Sequence, residues 1–179
     1  MKKLNNKGFT LVELLAVIVV LAIVMGLAVV AITGVLDNAR KATFVADAKQ
    51  FLEGARNIIN AEDMNSMLDG TSSTSNHRVG CVASGSTVNT STTIKLNEIK
   101  LQQGGTKSPY GGTYNKDASE IYVTASGSGS DCTIKYSIYL TDGIYKIGNS
   151  GTGIEWDNLS TNNVEAAPTT NNNSGNTGN

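Results

Sequence analysis

Histidine is all but missing from this chain, one in 179 residues, and cysteine is held to two. Those counts exclude a zinc ribbon or a His-based metal cage. No excess of one charge sign is present either, with 14 Lys and Arg against 15 Asp and Glu and a formal net charge of −1. A protein that tracks nucleic-acid phosphates needs a basic stripe, so direct nucleic-acid binding is not expected. Only two prolines occur and the first is Pro109, so nothing breaks a helix before it. A nucleophile–base constellation and a phosphate loop are also lacking, and no enzymatic activity and no cofactor are expected. Asn115-x-Asp117-x-Ser119 is too short for a calcium loop. His77 reads as a lone surface residue, not a ligand. The length allows one modest domain.

What is present is a division into two materials. The mean hydropathy of −0.11 suits a soluble protein, but it averages unlike parts. Of the 28 residues 9–36, 23 are apolar, whereas from Asp37 onward 46 of 143 are. Residues 14–36 form a run of 23 without a charge. As a helix that run reaches roughly 34 Å, enough to cross a bilayer core of ~30 Å. Lys2, Lys3 and Lys7 precede it with no acid among them, so the positive-inside rule places the N-terminus in the cytoplasm and everything after Leu36 outside. A secretory signal has an apolar region of ~7–15 residues and a small-x-small cleavage site, and this run is too long and offers none. A plain single-span anchor leaves Glu13 to be explained, at the start of the apolar segment. A carboxylate there is either an interfacial residue of no consequence or one that has a partner.

The local pattern around Glu13 is more specific than hydropathy. Lys7-Gly8-Phe9-Thr10-Leu11-Val12-Glu13-Leu14, after a short basic leader and before a long apolar run, resembles the class III signal of type IV pilins and pseudopilins. The resemblance covers residues 1 to about 40 strongly and the rest only in layout, and a Gram-positive bacterium is the expected source. It implies that a prepilin peptidase cuts between Gly8 and Phe9 and methylates the new Phe9 amine. The small Gly8 suits an active site that must approach the backbone closely. The cut precedes the apolar helix, so the mature chain keeps it and loses residues 1–8, three lysines among them. The resemblance further implies that Glu13 offers its carboxylate to the Phe9 amine of a neighbouring subunit. One family feature is absent. Where many pilins carry a mid-segment proline this chain has Val29-Val30, and Gly26 and Gly34 are the only weak points, each about 1 kcal/mol less favourable than Ala in a helix.

The helical pattern continues past Leu36. Phe44, Ala48, Phe51, Ala55, Ile58 or Ile59, and Glu62 form one stripe, with the charged residues mostly off it. One helix is predicted over residues 9–67, ended by Asp69-Gly70 and the Ser/Thr run beyond. Its stripe is expected to hold it against a sheet. Residues 71–93 read as a long surface loop with a short strand at 78–83. Ile94, Leu96, Ile99 and Leu101 suggest a short helix or strand edge. Ser108-Pro109-Tyr110-Gly111-Gly112 is a turn, followed by strands at 113–115, 121–125, 132–140 and 144–147, with Thr141-Asp142-Gly143 as a hairpin turn. Three or four antiparallel strands on the helical stripe make an α+β, pilin-like head.

Cys81 and Cys132 fall on the extracytoplasmic side of this topology, where disulfides persist, and a bridge is favoured over two free buried thiols. From Ser150 to Asn179, 20 of 30 residues are Ser, Thr, Asn or Gly, too little apolar surface to offset ordering entropy. The N-x-S/T sequons at Asn89, Asn158 and Asn172 read as chance in so Asn-rich a chain. The expected layout is a leader at 1–8, a transmembrane and assembly helix at 9–36, an amphipathic helix at 37–68, the head at 69–160 and a disordered polar tail at 161–179. The expected protein is a structural subunit of a type IV pilus or related filament. Its partners would be copies of itself in a helical filament, a prepilin peptidase, an assembly platform protein and ATPase, and the cytoplasmic membrane before assembly. The alternatives are a pseudopilin of a secretion or DNA-uptake apparatus and a single-span, membrane-anchored surface binding module.

Overall fold

The computed structural model describes residues 10–69, 77, 79–81, 90–100, 106–127 and 131–168. Helix α1 runs Leu11–Asp69, with no proline to break it. The chain divides into two compact units, Met1–Ala39 and Arg40–Asn179. In the first unit the large apolar side chains of α1 that are described are exposed, from 81 % at Leu11 to 47 % at Leu36. This is the one helix among the described residues long and apolar enough to cross a membrane.

In the second unit the same helix is amphipathic. Phe44, Val45, Ala48, Phe51, Leu52, Ala55 and Ile59 are buried, the 3–4 spacing of a helix face turned to a core. Fully burying a side chain of this size contributes roughly 1.5–3 kcal/mol. Tyr114 meets Phe44 and Phe51 edge-on, with ring centroids at 5.2 and 5.5 Å.

The core is closed by an antiparallel sheet of six strands: β1 (Ser91–Lys95), β2 (Glu120–Ser126), β3 (Thr133–Thr141), β4 (Tyr145–Ile147), β5 (Ile154–Glu155) and β6 (Val164–Ala166). The order is β1-β2-β3-β4-β6, with β5 also paired to β3. Period-2 alternation sends one set of side chains inward. Ile94 faces Ile121, Ile121 faces Ile138 and Ile138 faces Ile154, while Leu140 faces Ile147 and Ile147 faces Val164. The β3–β4 hairpin turns as expected at Thr141-Asp142-Gly143. Asp142 Oδ1 accepts the N–H groups of Ile144 and Tyr145 at 2.8 and 2.6 Å, and Gly143 takes φ +86°. The segment between β4 and β5 lies directly on β3. A Cβ at Gly153 (φ +64°) would stand 2.7 Å from the Ile138 backbone nitrogen, so only glycine fits.

The α+β layout of one long helix and an antiparallel sheet is as expected, but the strand count is six where three or four were expected. The two extra strands, β5 and β6, have two and three residues in a stretch with no alternating pattern. Pairing with β3 and β4 makes them strands, and Val164, only 4 % exposed, anchors the last. Residues 161–168, expected within the disordered tail, are therefore ordered, and 169–179 lie outside the described residues. The strand expected at 113–115 is only an isolated bridge from Thr113 to Lys107. Its residues are spent on a turn, where Asn115 Oδ1 accepts the N–H groups of Asp117 and Ala118. The segment from Ile94 resolves into both options, a strand to Lys95 and then a 3-10 turn at Leu96–Glu98. Of the strand expected at 78–83, only residues 79–81 are described.

Candidate functional site

The candidate functional segment lies where α1 begins. The helix needs acceptors for its first backbone N–H groups, and its sequence supplies them. The Thr10 backbone N–H and hydroxyl donate to Glu13 Oε2 at 2.9 and 2.8 Å, and the Glu13 N–H donates back to Thr10 Oγ1 at 3.3 Å. This is a capping box, T-x-x-E, with Thr10 as N-cap and Glu13 at the third helical position. It was legible as a Thr followed three residues later by Glu before an apolar run. It gives Glu13 an intrachain role that the hydropathy argument overlooks. Glu13 Oε1 has no partner among the described residues. Gly8 and Phe9 lie outside the described residues. The 23 residues after Glu13 carry no charge, so its carboxylate is the last one before Asp37.

Cys81 and Cys132 are joined in a disulfide with Cα atoms 5.5 Å apart, tying the segment after α1 to the residue before β3. His77 is not the isolated surface residue expected. Its side chain is 15 % exposed, with Nδ1 3.3 Å from Glu62 Oε1 and Nε2 3.0 Å from Glu98 Oε2. The sequence carries no local sign of this cluster, because the three residues come from the end of α1, the following segment and the 3-10 turn. No group of three or more His, Cys, Asp or Glu among the described residues is placed to hold a metal.

A polar network stiffens the core beneath the turn at 108–112. The Ser108 hydroxyl donates to Asp142 Oδ2. The Tyr114 hydroxyl donates to Asp47 Oδ2 at 2.8 Å. Burial raises the Asp47 carboxyl above its ordinary pKa, against the opposing pull of the Tyr114 hydrogen bond. Burial, then the Asp47 hydrogen bond, raises the Tyr114 phenol as well. These groups are spoken for by one another, and the network is structural.

A family model described as the prokaryotic N-terminal methylation motif matches residues 3–29. No curated protein and no solved structure matches the chain. The match covers Lys7, Gly8, Phe9 and Glu13 and residues 14–29 of the apolar run, and it supports a type IV pilin-like protein. It carries no information on a Gram-positive source. Together with the apolar helix it supports a membrane-anchored precursor of pilin or pseudopilin type. A class III signal implies processing by a prepilin peptidase and filament assembly, and the pilin-type family is structural rather than enzymatic.

Proposed function

We propose that this chain is a structural subunit of a type IV pilus or a closely related filament, and not an enzyme. The observation that carries the reading is the methylation motif at 3–29 heading a helix whose large apolar side chains over residues 11–36 are exposed among the described residues. Such a surface is stable in lipid or against copies of itself. A prepilin peptidase removes residues 1–8 on the cytoplasmic side and methylates the Phe9 amine. The subunit waits in the cytoplasmic membrane as a single-pass protein with its N-terminus inside and residues 69–160 outside. A platform protein and ATPase then move the helix from lipid into the axis of a helical fibre. Glu13 meets the Phe9 amine of a neighbour there. Opposite charges attract far more strongly in that low-dielectric bundle than in water.

Intact mass of the protein from its native host tests this directly. The expected mature chain starts at Phe9 and carries one extra methyl group, and electron microscopy of sheared surface material shows fibres containing it. A mature N-terminus at Met1 would favour a membrane-anchored binding module that never polymerises. One beyond Leu36 would make the apolar run a cleaved secretory signal.

A further inference from the structure

The second unit contains a cavity of about 510 Å³ between α1 at residues 52–60, the start of β3 and the turn after β5. That volume is in the range of small-molecule sites, ~300–1,000 Å³. Trp156 and Tyr136 line it, both partly buried against the core. Around them stand Glu53, Arg56, Asn60 and Asp157, whose side chains make no hydrogen bond or ion pair among the described residues. The Trp156 indole N–H has no acceptor there either. The two remaining charges, Lys135 and Glu155, are paired with each other at 3.1 Å.

We propose that this cavity binds a neutral saccharide of one or two rings. The lining decides between ligand classes. Two cations and three carboxylates leave it at a net −1, so a phosphorylated, sulfated or carboxylated ligand that reached the unpaired Arg56 would be repelled by the carboxylates Glu53 and Asp157 in the same lining. A cationic ligand would gain only the weak attraction of a net −1 and would meet the unpaired Arg56 guanidinium in the same lining. A purely apolar ligand would strip water from four unpaired polar side chains, which costs free energy for each. A neutral polyol has none of these penalties. Its C–H face packs on the Trp156 and Tyr136 rings. Its hydroxyls, each donor and acceptor, serve carboxylates, the Arg56 guanidinium and the Asn60 amide in place of water. The cavity belongs to the second unit alone, so the inference holds whether or not the chain polymerises.

Trp156 is the only tryptophan and makes a built-in reporter. The full chain, in a zwitterionic detergent without a sugar headgroup, is titrated with maltose, lactose and N,N′-diacetylchitobiose, and with sialyllactose as the anionic probe. A saturable change in Trp156 emission is expected with at least one neutral disaccharide and none with sialyllactose. Arg56→Ala and Asn60→Ala should each weaken the response about tenfold, as expected for losing a hydrogen bond involving a charged group or its equivalent. Lys116→Ala, outside the cavity, should leave it unchanged. Arg56→Lys, Glu53→Gln and the unfolding temperature of every variant separate lost contacts from lost folding. Silence with all three neutral sugars, a response to sialyllactose alone, or a response indifferent to both alanine variants would overturn the assignment.

Discussion

The Thr10–Glu13 exchange means that alanine at position 13 removes a helix cap and a charge together. Glutamine separates them, because its amide oxygen accepts from Thr10 while the charge is gone. Under the assembly reading, Glu13→Gln and Glu13→Ala are both cut after Gly8 and retained in the membrane, and both lose fibres. Fibre yield after shearing, normalised to processed subunit in the membrane fraction, is the measurement. Wild-type yield from the Gln variant with loss only in the Ala variant would assign Glu13 to capping alone. Asp47 gives a second test. Its folded pKa lies above its unfolded value, so the fold binds its proton more tightly, and the associated stability is lost as pH rises through the folded pKa. Asp47→Asn keeps an acceptor for the Tyr114 hydroxyl and removes that penalty. Thermal unfolding at neutral pH should be unchanged or higher than wild type, and the drop from acidic to neutral pH should be smaller. Asp47→Ala instead removes the carboxylate acceptor of the Tyr114 hydroxyl, leaving Ser108 as its side-chain partner, and should cost about 1–3 kcal/mol.

Helix α1 carries two different faces along one run of backbone. Its first part is apolar all round, and its second is apolar on one stripe only, set by Phe44, Ala48, Phe51, Ala55 and Ile59. Phe51 is 2 % exposed and packs edge-on against Tyr114. Phe51→Ala should cost about 3–5 kcal/mol, seen as a lower unfolding temperature. Cleavage after Gly8 should be untouched, because the motif at residues 3–29 does not include the stripe. Among the strands, β2 and β3 were legible, expected at 121–125 and 132–140 and found at Glu120–Ser126 and Thr133–Thr141. β5 and β6 were not: strands of two and three residues carry no periodicity, and only pairing with β3 and β4 defines them.

For the molecule as a whole, the disulfide is the covalent link between the segment after the helix and the sheet. Cys81 and Cys132 are 51 positions apart, and in the chain-entropy model such a loop contributes about 4 kcal/mol by restricting the unfolded chain. Replacing both by serine should lower the unfolding temperature accordingly and leave processing unaffected. Non-reducing digestion of the native protein should yield one linked peptide pair, and quantitative thiol labelling without reductant would count against the bridge.

The sequence by itself determined what depends on local order: the methylation motif within residues 3–29, the membrane-length run and the helical stripe. Each is a pattern of neighbours or of a fixed period, so it can be read without knowing the fold. The tertiary structure alone decided where distant residues meet. It placed His77 between Glu62 and Glu98, and it set the polar side chains of α1 beside Trp156 around one cavity. It also carried the ordered head on to Val164, past the expected boundary at residue 160. Those outcomes come from burial and strand pairing between segments far apart in the chain, which leave no periodic trace in either segment.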